Sequence, residues 1–127
     1  MSYISVKVPW TDYANLTLHG VRSLGRNFYL EEKEAKEVDV GERKPRLGVW
    51  HILPASVTAG YSEKGTLPTE REMEEQLDKG PENVVVYLHG NSFDRTTKHR
   101  CELYNVLSAL GFHVLAIDYR GALAFAY

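Results

Sequence analysis

The sequence predicts an α/β fold in which an antiparallel hairpin leads into a strand–helix–strand unit. Three observations carry this. Residues 84–88 (VVVYL) and 114–117 (VLAI) are unbroken apolar runs, and the stretch between them changes to a helical spacing of apolar residues. His89-Gly90-Asn91-Ser92 and Gly111 punctuate the two junctions. Upstream, residues 27–30 (NFYL) and 46–53 (RLGVWHIL) form two further strand-like runs that pair naturally as a hairpin.

In chain order, Val6, Val8, Pro9 and Trp10 suit an extended arm. Asn15-Leu16-Thr17 matches the N-glycosylation triplet, which is common by chance. After the first strand, residues 31–44 mix both charge signs and read as a solvated turn region. Trp50 and His51 in the second strand read as core packing and a satisfied edge. Residues 54–68 read as a loop. Thr69-Glu70-Arg71-Glu72 is a capping box that opens a short surface helix to about residue 77, and Gly80-Pro81 ends it. Residues 84–88 lack polar alternation, the pattern of a strand covered on both faces. A helix is expected from about residue 95. Its inner face would carry Cys101, Leu103, Val106, Leu107 and Leu110, with Lys98, Arg100, Glu102 and Asn105 outside. Gly111 caps it, and Asp118 ends the last run. Short loops make this a βαβ unit, with parallel strands and a right-handed crossover.

At 127 residues the chain has room for one small domain. It divides into an arm (1–25), a partial α/β domain (26–121) and a divergent tail (122–127). A net charge of −2 offers no electrostatic attraction to nucleic acid or an anionic membrane. No apolar run approaches the roughly 20 residues of a membrane helix, and the N-terminus lacks the basic-then-apolar layout of a secretion signal. The single cysteine, Cys101, forms no internal disulfide. No metal-ligand spacing appears among the five histidines and Cys101, so neither metal nor cofactor is expected.

The chemistry rests on few residues. Taken alone, His89 satisfying loop backbone and Gly90 permitting a turn is explanation enough. Their location adds a functional reading, because sites in open α/β sheets form beyond the carboxyl ends of strands. A backbone N–H presented there, just before a helix, can stabilise a developing oxyanion, and the amide of Asn91 is the donor so placed. Ser92 lies in Gly90-Asn91-Ser92-Phe93-Asp94, half of a G-x-S-x-G, with Asp94 where the second glycine belongs. Ser62 has Lys64 at that place and no strand before it. His99 and His113 are the bases available to Ser92.

The stretches YLHGN, HR-x-ELY-x-VLS-x-LG-x-HV and DYRG together resemble the abhydrolase-domain-12 family of α/β-hydrolases. RNFYL and LGVWHILP resemble that family's opening hairpin. The resemblance implies a serine lipase acting on monoacylglycerols and lysophosphatidylserine at the endoplasmic reticulum membrane. It implies an oxyanion loop at His89, Gly90 and Asn91, and a loop shaping the pocket floor at Asp118, Tyr119, Arg120 and Gly121.

The chain departs from the family in three ways. Phe93 stands where many members carry small residues. DYRG continues as Ala-Leu-Ala-Phe-Ala-Tyr where members continue with an aromatic and Gly-Asp-Ser. The family's upstream membrane anchor and downstream nucleophile elbow, acid and histidine have no counterpart here. The expectation is therefore a catalytically silent chain with an incomplete sheet, and with no anchor of its own its address is open, the cytoplasm included. Residues 84–88 would then form a bare apolar edge prone to self-association, leaving the chain poorly soluble or molten. Two alternatives stand beside the lipase reading. One is a nucleotide-binding βαβ module, for which G-N-S-F-D lacks the second and third glycines of G-x-G-x-x-G. The other is a truncated, non-catalytic interaction protein.

Overall fold

The computed structural model describes residues 11–31, 46–90 and 94–118. A turn of 3-10 helix, Leu16–His19, precedes strand β1 (Gly25–Glu31) and strand β2 (Arg46–Ile52). Helices α1 (Ala55–Lys64) and α2 (Glu70–Lys79) follow, then β3 (Val84–Leu88), α3 (Lys98–Ala109) and β4 (His113–Asp118). The strands form one sheet in the order β1-β2-β4-β3. β1 and β4 both run antiparallel to β2, whereas β3 runs parallel to β4. The expected hairpin and βαβ unit are both present, in an α/β sheet left incomplete with β3 at its edge.

One face of the sheet holds the core. Trp50, Ile52, Val114 and Ala116 project from β2 and β4 and meet Cys101 and Tyr104 of α3, with Leu16 and Val21 closing the N-terminal side. Tyr104 stands edge-on to both Trp50 and Tyr87, at centroid distances of 6.3 and 5.7 Å. Burying an aromatic of this size is worth about 3–5 kcal/mol against alanine. Trp50 Nε1 donates to the Tyr13 carbonyl at 2.8 Å, which ties the N-terminal segment over the core. Burial of Cys101 pushes its thiol up to about 11, so it is an inert packing residue.

Two helix ends follow from local chemistry. Thr69 Oγ1 accepts from the Glu72 N–H at 3.1 Å, and the Glu72 carboxylate accepts from the Thr69 N–H at 2.9 Å, completing the capping box that opens α2. Gly111, at φ +98°, terminates α3, its N–H bonding to the Ser108 carbonyl at 3.0 Å.

Three expectations are corrected. Residues 55–64 are a helix, not a loop. Pro54 is its N-cap, and Gly65, at φ 71°, stops it with the Thr66 N–H reaching the Tyr61 carbonyl at 3.1 Å. The inner face of α3 is Arg100, Cys101, Tyr104 and Ser108, with the expected Leu107 partly buried against the core, while Leu103, Val106 and Leu110 are exposed. Tyr104 and Ser108 prevail because each joins packing to a hydrogen bond: the Tyr104 hydroxyl donates to the Arg95 carbonyl at 3.0 Å and Ser108 Oγ to the Leu53 carbonyl at 2.7 Å. Finally, β3 is covered on one face only. Tyr87 packs on the core, whereas Val84, Val86 and Leu88 are 41%, 54% and 60% exposed.

Candidate functional site at the carboxyl ends of the parallel strands

β3 and β4 run side by side and end at Leu88 and Asp118, paired one register step apart through Leu88↔Ile117. Their alignment brings the next residue of one strand, His89, against the last residue of the other. His89 Nε2 lies 2.8 Å from Asp118 Oδ1, a close contact short of hydrogen-bond alignment. His89 Nδ1 lies 2.6 Å from the Gly90 carbonyl, which can only accept, so Nδ1 carries the hydrogen. Of the residues expected in the oxyanion and pocket loops, His89, Gly90 and Asp118 are thus brought together. Asn91, Ser92, Tyr119, Arg120 and Gly121 lie outside the described residues.

The site's centre is a residue that sequence reasoning missed. Arg95 is buried, and its guanidinium donates through Nη1 to Asp118 Oδ2 and through Nη2 to Asn27 Oδ1, the latter at 2.7 Å. Its plane packs on the Tyr13 ring, with the central carbon 4.3 Å from the ring centroid. A rigid fork of donors suits this bridge in a way that a lysine ammonium does not. The path exists because β2 carries Gly48 directly opposite Asp118: a Cβ there would stand 2.6 Å from Arg95 Nη1. A glycine inside a strand was the one available sign of such a close approach.

Asp94 fastens the segment that carries Arg95. Its carboxylate accepts from Tyr13 Oη at 2.5 Å and from the Thr96 N–H and Oγ1 at 2.9 and 2.6 Å. Burial opposes the charge, but the Thr96 and Tyr13 hydrogen bonds hold the Asp94 carboxyl below the usual range. The same burial and the Asp94 contact push the Tyr13 hydroxyl well up, so it stays a donor. Arg100, expected on the outer face, is instead buried, with Nη1 donating to the Asp94 carbonyl at 2.9 Å.

A second buried network lies at the opposite end of β4. Arg26 Nε donates to His51 Nδ1 at 2.9 Å, and His51 Nε2 meets His113 Nδ1 at 2.9 Å. Arginine only donates, so His51 accepts at Nδ1 and donates from Nε2. His113 then accepts at Nδ1 and turns its Nε2–H toward Glu82 Oε1, 3.8 Å away. Burial, then Arg26 and His113, lower the His51 ring to about 3. Burial also lowers His113, against the opposing pull of Glu82. Neither His113, engaged here, nor the exposed His99 accompanies the His89–Asp118 contact. An open groove of about 820 Å³ between Arg26 and the acidic flank of α2 contains none of the site residues. Among the described residues no three His, Cys, Asp or Glu side chains are grouped to hold a metal, and no helix is long and apolar enough to cross a membrane.

The sheet order, the parallel pair and the joined strand-end loops define a partial α/β-hydrolase domain. The chain is 38% identical over 95 residues to the lysophosphatidylserine lipase ABHD12 of Danio rerio, covering 75% of this chain and 21% of that protein. Its counterpart in Gallus gallus is 40% identical over the same length, and the human protein ABHD12B is 40% identical over 75 residues. The chain therefore belongs with the abhydrolase-domain-12 family, as the motifs around His89 and Asp118 implied. It spans about a fifth of the length of the curated relatives it matches. No protein-family model and no solved structure matches it.

Proposed function

We propose that this chain is the oxyanion side of a serine lipase that cleaves the acyl ester of lysophosphatidylserine or monoacylglycerol at the endoplasmic reticulum membrane. In that reaction a serine oxygen bonds to the carbonyl carbon, the bond from that carbon to the glycerol oxygen breaks, and the glycerol leaves as an alcohol with the serine's proton; water then attacks the acyl-serine, releasing the fatty acid and restoring the serine hydroxyl. The chain contributes the Asn91 N–H as an oxyanion donor, with Asp118, Tyr119, Arg120 and Gly121 forming the adjoining pocket floor. A donor of this kind is worth roughly 10²–10³ in kcat. The observation that supports this reading is the His89–Asp118 contact, which joins the two strand-end loops beside a tethered Gly90 carbonyl. Names of the relatives supply the substrate class. The nucleotide-binding alternative loses ground here, because Asp118 is buried and Arg95 holds one of its oxygens.

The 127 residues contain no G-x-S-x-G, so on this reading the chain by itself is catalytically silent. A fluorophosphonate probe is expected to leave it unlabelled. Labelling that disappears in Ser92→Ala would overturn the silence and make Ser92 a nucleophile. Sequencing transcripts past the Gly121 codon, then assaying the longest product for fatty acid release from lysophosphatidylserine, tests the lipase reading itself; a longer product without hydrolysis sinks it. A second reading is favoured by β3, whose edge position and exposed Val84, Val86 and Leu88 suit pairing with another strand. On that reading the chain acts through association, and sedimentation of the isolated chain as a strict monomer would count against it.

A further inference from the structure

Asn15-Leu16-Thr17 is the one N-glycosylation triplet in the 127 residues, and the site described above makes no use of it. The triplet opens the 3-10 turn Leu16–His19, with Asn15 as its N-cap. Its middle residue, Leu16, is 4% exposed and belongs to the core cluster with Val21 and Trp50. Asn15 and Thr17, the two residues that define an acceptor, are both exposed. One buried residue between two exposed ones pins the turn to the body of the protein and leaves its outer side open. Gly20, at φ 103°, closes the turn, its N–H bonding to the Thr17 carbonyl at 3.0 Å.

The Asn15 amide is divided in use. Its Oδ1 accepts from the Leu18 N–H at 3.2 Å, as an N-cap oxygen does. Its Nδ2 has no hydrogen-bond partner among the described residues. A glycan is carried on the nitrogen of asparagine, and the product is still an amide with the same carbonyl oxygen. Cap and sugar therefore draw on different atoms. Tyr13, two residues earlier, is committed to Asp94 and Arg95, and the Asn15 side chain takes no part in that network. Leu18, 66% exposed, comes one 3-10 turn later and eclipses Asn15, so a first sugar ring has an apolar side chain to lie against.

We propose that Asn15 is a glycan-bearing residue: its Nδ2 accepts an oligosaccharide from a lipid pyrophosphate donor while its Oδ1 goes on capping the turn. The bond from sugar C1 to the pyrophosphate oxygen breaks, a bond from C1 to Nδ2 forms, and one Nδ2 proton is released as the lipid pyrophosphate leaves. This rests on the endoplasmic reticulum placement above, because the transfer takes place in that lumen.

The test carries the full chain into endoplasmic reticulum microsomes behind a cleavable leader. Peptide N-glycosidase in heavy-oxygen water then turns a glycosylated asparagine into a labelled aspartate, which mass spectrometry locates. One glycan is expected, on Asn15, lost in Thr17→Ala and kept in Thr17→Ser. Amide exchange at Leu18 reports the cap. In the chain trimmed to a single sugar its rate should stay within twofold of the bare chain, whereas Asn15→Ala should raise it at least threefold. The inference is overturned if the translocated chain stays bare, if Thr17→Ala keeps its glycan, if Asn15→Ala leaves Leu18 unmoved, or if the sugar raises the Leu18 rate as much as Asn15→Ala does. Should Asn15→Ala not fold, Asn15→Asp keeps a capping oxygen and lacks the acceptor nitrogen. It is expected bare with an unchanged Leu18 rate, and a glycan on it overturns the inference. The native product purified from cells reports separately: sugar on the translocated chain and none on the native one removes the endoplasmic reticulum reading and leaves Asn15 an acceptor. Hydrolysis of lysophosphatidylserine is scored on its own.

Discussion

Strand β4 begins and ends in a buried polar network, and the two networks are built on different principles. At its last residue, Asp118, the network is charged: an arginine, a carboxylate and a histidine drawn from three separated segments. At its first residue, His113, the network is a directional relay in which Arg26 donates to His51 and His51 to His113. In the relay, burial keeps both rings neutral, so the loss of a partner strands a hydrogen bond. At the Asp118 end, the loss of a partner strands a buried charge, which is several times more costly. The charged network sits where the loops that could carry chemistry leave the sheet. The one built on neutral rings sits where β4 enters it and only the fold is at stake.

This contrast can be pressed experimentally. Asp118→Ala leaves Arg95 and His89 facing each other without the carboxylate, and should cost about 3–5 kcal/mol in urea unfolding. His51→Leu removes one ring from the relay and leaves Arg26 Nε and His113 Nδ1 unpaired, for about 1–3 kcal/mol. If the two substitutions cost the same, the distinction between the ends collapses.

Acid separates the ends by pH. The His51 ring falls to about 3 in the fold from an ordinary 6.5, so the unfolded chain binds the extra proton. Its contribution is complete above about 6.5 and drains away as pH falls from there toward 3, at up to about 1.4 kcal/mol per pH unit. His113, lowered in the same direction, adds to the same slope. Asp94 works lower: its carboxyl is held below the ordinary 3.8, so its contribution is intact above that value and lost beneath it. Unfolding midpoints between pH 6.5 and 4.5 should therefore decline in the parent chain and decline less in His51→Leu. An unchanged slope in that variant would assign the decline to other groups.

The smallest effect on stability is expected outside both networks. Val86→Thr, on the exposed face of β3, should alter the unfolding free energy by no more than about 0.5 kcal/mol while reducing association seen by ultracentrifugation. A large loss of stability would mean that this face is packed in solution.

Neither network could be read whole from the sequence. Trp50 and His51 announced packing and a satisfied edge, and both are fully buried. The capping box at Thr69 and the stop at Gly111 are local chemistry, legible wherever they occur. Helix α1 escaped because its signals are weak: a proline in place of a capping side chain, Gly60 inside, and no buried residue to give it a face. The inner face of α3 was misjudged because leucines are the ordinary markers of burial, whereas here the sheet takes Tyr104 and Ser108 for their hydroxyl groups. His89 and Asp118 could be picked out by their places at strand ends. Arg95 could not, since its partners come from positions 27, 48 and 118 and nothing local marks it. Long-range polar contacts leave no period in a sequence.

Gly48 carries a consequence for how this chain can change. Its missing side chain and the long arm of Arg95 occupy one volume, so the two positions share a single allowance of atoms. A methyl at position 48 obliges the guanidinium to shift, and a shorter residue at position 95 opens a hole that a methyl at 48 could fill. Drift at either site is thus conditional on the other.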